Sequence, residues 1–439
     1  MKTHTLPGTV PITVLDVHDL VYRKVSLRLL PLLFSCYIAA YLDRVNVGFA
    51  KLQMQAALQF SDSVYGLGAG VFFIGYFLCE VPSNVLLHRV GARRWIAWIM
   101  LVWGVLSMAT MFVTSPASFY ALRFLLGAAE AGFFPGVILY LTYWFPAARR
   151  GRAVAAFLSA IAVAGMLGGP SSGWILQHMG GANGWQAWQW LFLLQASPTI
   201  VLALLVWRYL DDRAEQARWL TEDERQLIAA DIAHDGRGKA GAGLRAALAA
   251  PGVWMLALVY FGLAAGVYGL SFWSPALIGA AGAGQPGTVG LLSAAPWAAG
   301  LVAMFAHARR SDRRGELRRH CATAAAVGAA GLIFSVAFHD DLPLALLGLT
   351  VATMGVMAAL PVFWGLPTAW LGGEAAAAGL ALINSVGNLA GFCAPLLLGL
   401  LADRSDRLSG ANLGVLVLAG ALLAGGLLAL CTPRLARTR

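Results

Sequence analysis

Four charged residues stand inside stretches that are otherwise apolar: Asp43 and Arg44 in one, Arg123 and Glu130 in another. An Asp or Arg at the centre of a membrane helix costs ~2.5–3.5 kcal/mol on insertion scales, so such groups pair and face a polar interior. Arg123 and Glu130 lie two turns apart on one helix face. One acid and one base on each of two helices can neutralise each other, and the set then has two readings. It is an inert ion-pair network that joins helices, or it binds an anion at an arginine while a neighbouring carboxylate takes up a proton. The second reading supplies a physical basis for coupling anion movement to proton movement.

The apolar stretches of the second half of the chain hold no Asp, Glu, Lys or Arg in their central portions. Any titrating or anion-neutralising group must then come from the first half. Polar and aromatic residues within spans complete a candidate cavity lining: Tyr37, Tyr41, Tyr76, Tyr260, Tyr268, Trp273, Trp364, Asn384 and Asn388. Asn384 and Asn388 share a helix face. Each Tyr or Trp reads as readily as helix packing or an interfacial anchor as it does as cavity lining. Trp185, Trp188 and Trp190 near one span end read as such a belt. Glu80, in Cys79-Glu80-Val81-Pro82, reads as structural, pairing with loop arginines or a helix end.

The elements that hold these residues are long and apolar. The chain has 439 residues, 59% hydrophobic and 12% charged, against about 25% charged in soluble domains; its mean hydropathy is +0.71. A spanning helix needs ~20 mostly apolar residues. Such segments recur at about 27–50, 64–87, 95–114, 118–145, 153–177 and 189–210, then at about 253–278, 288–307, 321–338, 343–370, 377–402 and 413–432. The expected organisation is a cytoplasmic tail over 1–26, a six-helix bundle over 27–210 and a cytoplasmic linker with a short surface helix over 211–250. A second six-helix bundle over 251–433 and a cytoplasmic tail over 434–439 complete it. In the linker, Thr221-Glu222-Asp223-Glu224 has the form of a capping box, and Gly236 to Gly243 reads as flexible.

The basic residues set the orientation. Of the 31 Lys and Arg, Arg44 and Arg123 lie inside spans and Lys51, Arg404 and Arg407 fall on one side; all the others fall on the side that also holds both termini. Such a bias marks the cytoplasmic side, so both termini are expected inside a bacterial-type inner membrane. The net charge of +10 therefore points to lipid rather than nucleic acid.

The halves echo each other at an offset of 226: Pro135 with Pro361, Trp144 with Trp370, Ser159 with Ser385, Gly165 with Gly391 and Gly173 with Gly399. Parallel six-helix repeats with a site between them are one transporter plan. Gly165, Gly169 and Gly173, Gly387 and Gly391, and the Gly66-Leu67-Gly68-Ala69-Gly70 stripe read as close helix packing. Cys36, Cys79, Cys321, Cys393 and Cys431 form no CxxC pair and read as free thiols. No GxSxG, HExxH or phosphate-loop motif occurs, so no enzyme activity, metal or cofactor is expected; the coupling ion expected from the buried acid–base set is the proton.

The loop segments Arg89-Val90-Gly91-Ala92-Arg93-Arg94 and Asp312-Arg313 resemble the paired loop motifs of the major facilitator superfamily, with His88 where the usual Asp stands. Within that superfamily, Tyr41-Leu42-Asp43-Arg44-Val45-Asn46 and the run from Arg123 to Gly136 are similar to the anion:cation symporter branch. The resemblance covers nearly the whole chain. It implies an all-α membrane protein of 12 helices in two pseudo-symmetric bundles that rock about a midplane site. It implies that Arg44 holds a substrate carboxylate, that Asp43 and Glu130 carry protons with Arg123 tuning them, and that Tyr41, Tyr76, Trp364 and Asn384 line the site; the polar residues within spans add Tyr268 and Asn388 as substrate-binding candidates. Arg89, Gly91, Arg93, Asp312 and Arg313 would act in the conformational loops. Ile161 stands where sugar-acid carriers place a Gln, which speaks against a polyhydroxylated sugar acid, and the stretches Tyr41 to Met54 and Gly75 to Arg94 look most like the tartrate and phthalate carriers, which favours a small dicarboxylate such as tartrate. The expected function is proton-coupled import of a small organic anion by a monomer. An uncoupled facilitator or exchanger is the first alternative and a non-transporting membrane receptor the second.

Overall fold

The computed structural model describes residues 14–236, 250–370, 373–404 and 407–432. The flexible linker expected at Gly236 to Gly243 falls, from residue 237 on, outside the described residues, as does the C-terminal tail. The described chain is helical almost throughout. Twelve stretches are long and apolar enough to cross a membrane, where a backbone must satisfy its own hydrogen bonds.

In the first half the helices are α1 (Val14–Leu58), α2 (Asp62–Val90), α3 (Ala92–Ala109), α4 (Pro116–Glu130), α5 (Phe133–Thr142), α6 (Ala147–Leu158), α7 (Ala160–His178) and α8 (Ala187–Tyr209). A short helix α9 (Glu222–Gly236) lies in the central loop. The second half has α10 (Pro251–Ile278), α11 (Pro286–Arg314), α12 (Leu317–Ala337), α13 (Leu342–Trp370), α14 (Gly373–Asn388), α15 (Ala390–Arg404) and α16 (Arg407–Cys431). Three spans are broken in two, as α4–α5, α6–α7 and α14–α15. Sequence periodicity alone gave no sign of these breaks.

The first helix starts earlier than expected. The stretch up to residue 26, expected as a tail, is helical from Val14. It leaves the apolar zone on the face that carries the central loop, here the loop face, and docks on α9. Tyr22 donates from its hydroxyl to Asp231 at 2.9 Å, His18 lies 3.3 Å from the same carboxylate, and Lys24 pairs with Glu224 at 2.7 Å. The capping box forms as its residues dictate: Thr221 N–H donates to Glu224 at 2.8 Å and Glu224 N–H to Thr221 Oγ1 at 3.3 Å. Burial would raise the Glu224 carboxyl, but the bonds from Lys24 and Thr221 outweigh it and hold it below the usual carboxylate range.

Small residues set the helix spacing. A Cβ on Gly127 would lie 1.8 Å from the Phe72 carbonyl, which places α4 directly on α2. Between the halves, a Cβ on Gly169 would meet the Gly290 carbonyl at 2.4 Å, and one on Gly66 the Pro395 carbonyl at the same distance. The packing stripes thus act where expected, several across the interface of the two halves. All five cysteines are free thiols. Trp188 departs from the expected belt: it is buried at 3% exposure, because it faces into the bundle beside Phe192.

Candidate functional site

The charged pairs of α1 and α4 meet in part. Arg44 projects from α1 and donates through Nε to Glu130 Oε1 at 3.1 Å, with Nη2 pairing to the same oxygen. Glu130 ends α4, just before the turn at Ala131-Gly132. That turn presses Gly132 against Ser83, where a Cβ would lie 1.8 Å from the hydroxyl. Arg44 Nη1 reaches across to Tyr268 of α10 at 3.4 Å, and Tyr268 donates to Asn388 of α14 at 3.0 Å. The guanidinium also lies 5.3 Å from the Tyr76 ring and 5.4 Å from that of Phe72, a cation–π cradle. Arg44 is therefore the residue that joins a buried carboxylate of one half to a polar chain in the other.

Asp43 and Arg123 do not form the second cross-pair that the sequence allows. Asp43 turns the other way from its neighbour, because successive helix positions differ by about 100°. It accepts from Thr199 Oγ1 at 2.6 Å, Ser107 Oγ at 2.9 Å and Trp103 Nε1 at 3.3 Å. Three neutral donors from α3 and α8 thus hold the carboxylate inside the first bundle. Arg123 donates to the carbonyls of Gly68, Arg44 and Ala69 at 3.2–3.4 Å and stacks over Phe72. Arg123 Nη1 and Glu130 Oε2 remain buried without a partner.

The remaining lining candidates divide. Tyr41 shares a hydrogen bond of 2.8 Å with Ser271 of the second half and borders a cavity of about 20 Å³ with Ser293 and Trp297. Tyr76, Tyr268 and Asn388 gather at Arg44 as above. Trp364 packs on Tyr260 and Phe363 in an aromatic cluster of the second half. Tyr37 stacks on Phe157 at 4.5 Å. Asn384 does not reach Arg44; its amide donates to Glu80 Oε1 at 3.0 Å, and Ser385 donates to Glu80 Oε2 at 3.0 Å. Glu80 therefore pairs with the second half and not with a loop arginine or a helix end. Its apolar flanks hid that partner, which lies some 300 residues away in sequence.

A second charged cluster, missed by the sequence reading, lies at the face opposite the loop. Lys51 is 6% exposed, pairs with Asp62 at 2.8 Å and lies 3.2 Å from the Trp273 ring centre. Its spacing of two turns from Arg44 was the available signal. Asp403 of α15 accepts from the backbone N–H groups of Asp62 and Ser63 at 3.0 and 2.8 Å, so a carboxylate of one half caps a helix of the other. A cavity of about 910 Å³ opens here, bordered by Lys51, Gln55, Asp62, Trp273, His339 and Asn412; Arg44, Glu130 and Tyr268 are not in its wall.

On the loop face, Gly91 has φ +94°, a conformation that favours glycine. The N–H of Arg93 donates to Asp212 Oδ1 at 2.8 Å. Asp212, which follows α8, thus brings a carboxylate to the loop where the sequence offers His88. Arg89 is exposed at the end of α2, and Asp312 and Arg313 are exposed at the end of α11, which Gly315 terminates with φ +64°.

The chain matches the profile of the Major Facilitator Superfamily over residues 33–395. It is 45% identical to a protein of Agrobacterium vitis named "Putative tartrate transporter", over 95% of this chain and 92% of that one. It is also 45% identical to "Putative metabolite transport protein NicT" of Pseudomonas putida, over 94% of each. In fold it is similar to a bacterial homologue of the human lysosomal transporter Spinster in an inward-facing, unoccupied conformation. The TM-score is 0.76 at 16% identity, over 94% of this chain and 97% of that one.

Proposed function

The chain belongs to the major facilitator superfamily, and on that premise we propose that it imports a small organic anion together with protons. It is a multi-pass membrane transporter and not an enzyme. The observation that carries the proposal is the buried Arg44, shared between Glu130 of its own half and Tyr268 of the other. A guanidinium is the side chain suited to two-point recognition of a carboxylate. A substrate carboxylate that takes Arg44 displaces Glu130 from its cation. Glu130, whose second oxygen is already without a partner, is then a buried charge left uncompensated, a state of high cost. A proton removes that cost, so anion and proton enter together. Asp43, held by three neutral donors, is the second proton carrier, and Arg123, between the two, sets the local field.

The cycle begins facing outward, with protons on Asp43 and Glu130 and the anion on Arg44; the halves rock, and anion and protons leave inward. The membrane potential opposes each imported negative charge by ~2.3 kcal/mol per 100 mV, and more than one proton per monovalent anion reverses that sign. The name of the Agrobacterium vitis relative supports a small dicarboxylate such as tartrate, and Ile161 speaks against a polyhydroxylated sugar acid. The basic loop face is the cytoplasmic side of an inner membrane, with both termini inside, and the monomer is the working unit.

The test is proton entry into proteoliposomes that hold a pH-sensitive dye. Tartrate, phthalate, succinate, galactonate and 4-hydroxyphenylacetate are added in turn. Acidification by one acid, absent in Arg44→Ala and Glu130→Gln, supports symport. Saturable uptake of a labelled acid without acidification would leave a facilitator or exchanger, and binding without uptake a receptor.

A further inference from the structure

We propose that Glu80 is the latch of a gate between the central arginine and the loop face, a positioning residue that holds the two halves closed through Asn384 and Ser385. Three observations place it there. Its two oxygens each accept one hydrogen bond of 3.0 Å, and both donors come from α14 of the other half. It lies one turn beyond Tyr76 along α2, and Tyr76 is level with Arg44 through the ring contact at 5.3 Å. One turn is about 5.4 Å, so the tie sits just to the loop side of the site. The residue is 4% exposed, so its carboxylate is shielded from water at the tie.

The charge pattern separates Glu80 from the other buried acids. Among the described residues four carboxylic acids are buried, Asp43, Asp62, Glu80 and Glu130, against three cations, Arg44, Lys51 and Arg123. Glu130 pairs with Arg44 and Asp62 with Lys51. Asp43 takes its donors from within its own half. Glu80 differs from all three: the hydrogen-bond partners of its carboxylate are neutral and lie wholly in the opposite half. Such a group is satisfied when the halves meet. When they part, water takes the place of Asn384 and Ser385, so the carboxylate gives up two charge-assisted bonds but is not left buried without a partner. An ion pair within one half could not report on the separation of the two.

The latch also has a connection to the site. Asn384 lies one turn from Asn388 on α14, and Asn388 is joined through Tyr268 to Arg44. One helix thus carries both ties from the first half. This link to substrate rests on the proposed role of Arg44; the latch itself does not.

The test uses the full chain in nanodiscs without substrate or gradient, with spin labels at Val90 and Arg319 on the loop-face ends of the two halves, read by dipolar EPR. In the otherwise wild-type chain a short distance is expected to dominate. Glu80→Ala is expected to raise the long-distance population relative to the short one by about tenfold or more, the scale for losing hydrogen bonds to a charged group. Glu80→Gln should stay closer to the wild type than to Glu80→Ala, because its amide accepts from Asn384 and donates to the Ser385 hydroxyl through weaker, neutral bonds. Asn384→Ala with Ser385→Ala should reproduce Glu80→Ala, and combining all three should add nothing. An unchanged distribution in Glu80→Ala overturns the latch. So does Glu80→Gln behaving as Glu80→Ala, further opening in the triple variant, or a wild-type chain already dominated by the long distance. None of these readouts depends on anion transport, so failure of the latch and failure of symport are separate results.

Discussion

Among the described residues the first half buries Asp43, Arg44, Lys51, Asp62, Glu80, Arg123 and Glu130, whereas the second, His320 aside, buries only uncharged polar groups such as Ser271, Ser274, Asn384 and Asn388. Yet the two are built on one plan of six spans and pack against each other with the same kind of close glycine contact. The difference shows a division of labour. Charge inside a membrane is costly unless its partners are fixed, and fixed partners are most easily kept within one rigid bundle. The second bundle meets those charges with hydroxyls, amides and rings, which can be exchanged for water or substrate at lower cost than an ion pair. On the proposed function, the half with the charges would bind and titrate, and the half without them would supply the exchangeable partners.

The comparison is broken most severely at its centre. Arg44→Ala leaves Glu130 buried without its cation, a loss on the order of 3–5 kcal/mol, and is expected to lower uptake of the transported acid by more than ~100-fold. Arg44→Lys should not rescue it, since an ammonium cannot engage Glu130 and Tyr268 in the planar geometry used here. Initial rates in proteoliposomes at matched protein content check both.

Glu130→Gln removes the charge and keeps the shape. Exchange of labelled for unlabelled acid should persist, while uptake driven by an inward proton gradient should fall by ~10-fold or more. Equal loss of both would mean that Glu130 serves binding rather than coupling.

Tyr268→Phe cuts the link from Arg44 to the second half with little change in volume. A hydrogen bond to a charged group is worth about 1.5–3 kcal/mol, so the half-saturating concentration should rise by about tenfold with a smaller change in maximal rate. A variant equal to wild type would show that the halves communicate elsewhere.

Thr199→Val withdraws one of three donors from Asp43 and should lower the unfolding free energy by about 1–2 kcal/mol. The smallest effect belongs to the loop face. Lys24→Ala should cost no more than about 0.5 kcal/mol and leave uptake unchanged. Because its partner Glu224 is held below the usual carboxylate range when folded, that contribution is present at neutral pH and fades as the pH falls through and below that range.

Much of this was legible in the residues. Asp43, Arg44, Arg123 and Glu130 announced themselves because charge is rare in an apolar span. The capping box at Thr221 to Glu224 formed as written, because its partners are local. What failed to show in the sequence was distant or directional. Glu80 looked like a loop partner because nothing near it in sequence could bond it. Lys51 looked like an end charge, although it is buried beside Asp62 and Trp273. Trp188 looked interfacial, although it faces inward.

By itself the sequence determined the twelve spans, the repeat, the charge sidedness and the list of unusual residues, because hydrophobicity and charge act on a segment wherever it goes. Only the tertiary structure decided who pairs with whom. Arg44 took Glu130, Asp43 took three neutral donors and Glu80 took the other half, because those outcomes depend on helix rotation and on contacts between residues hundreds of positions apart. Hydrogen bonds are short and directional, and no pattern along one strand of text fixes the direction in which a side chain leaves its helix.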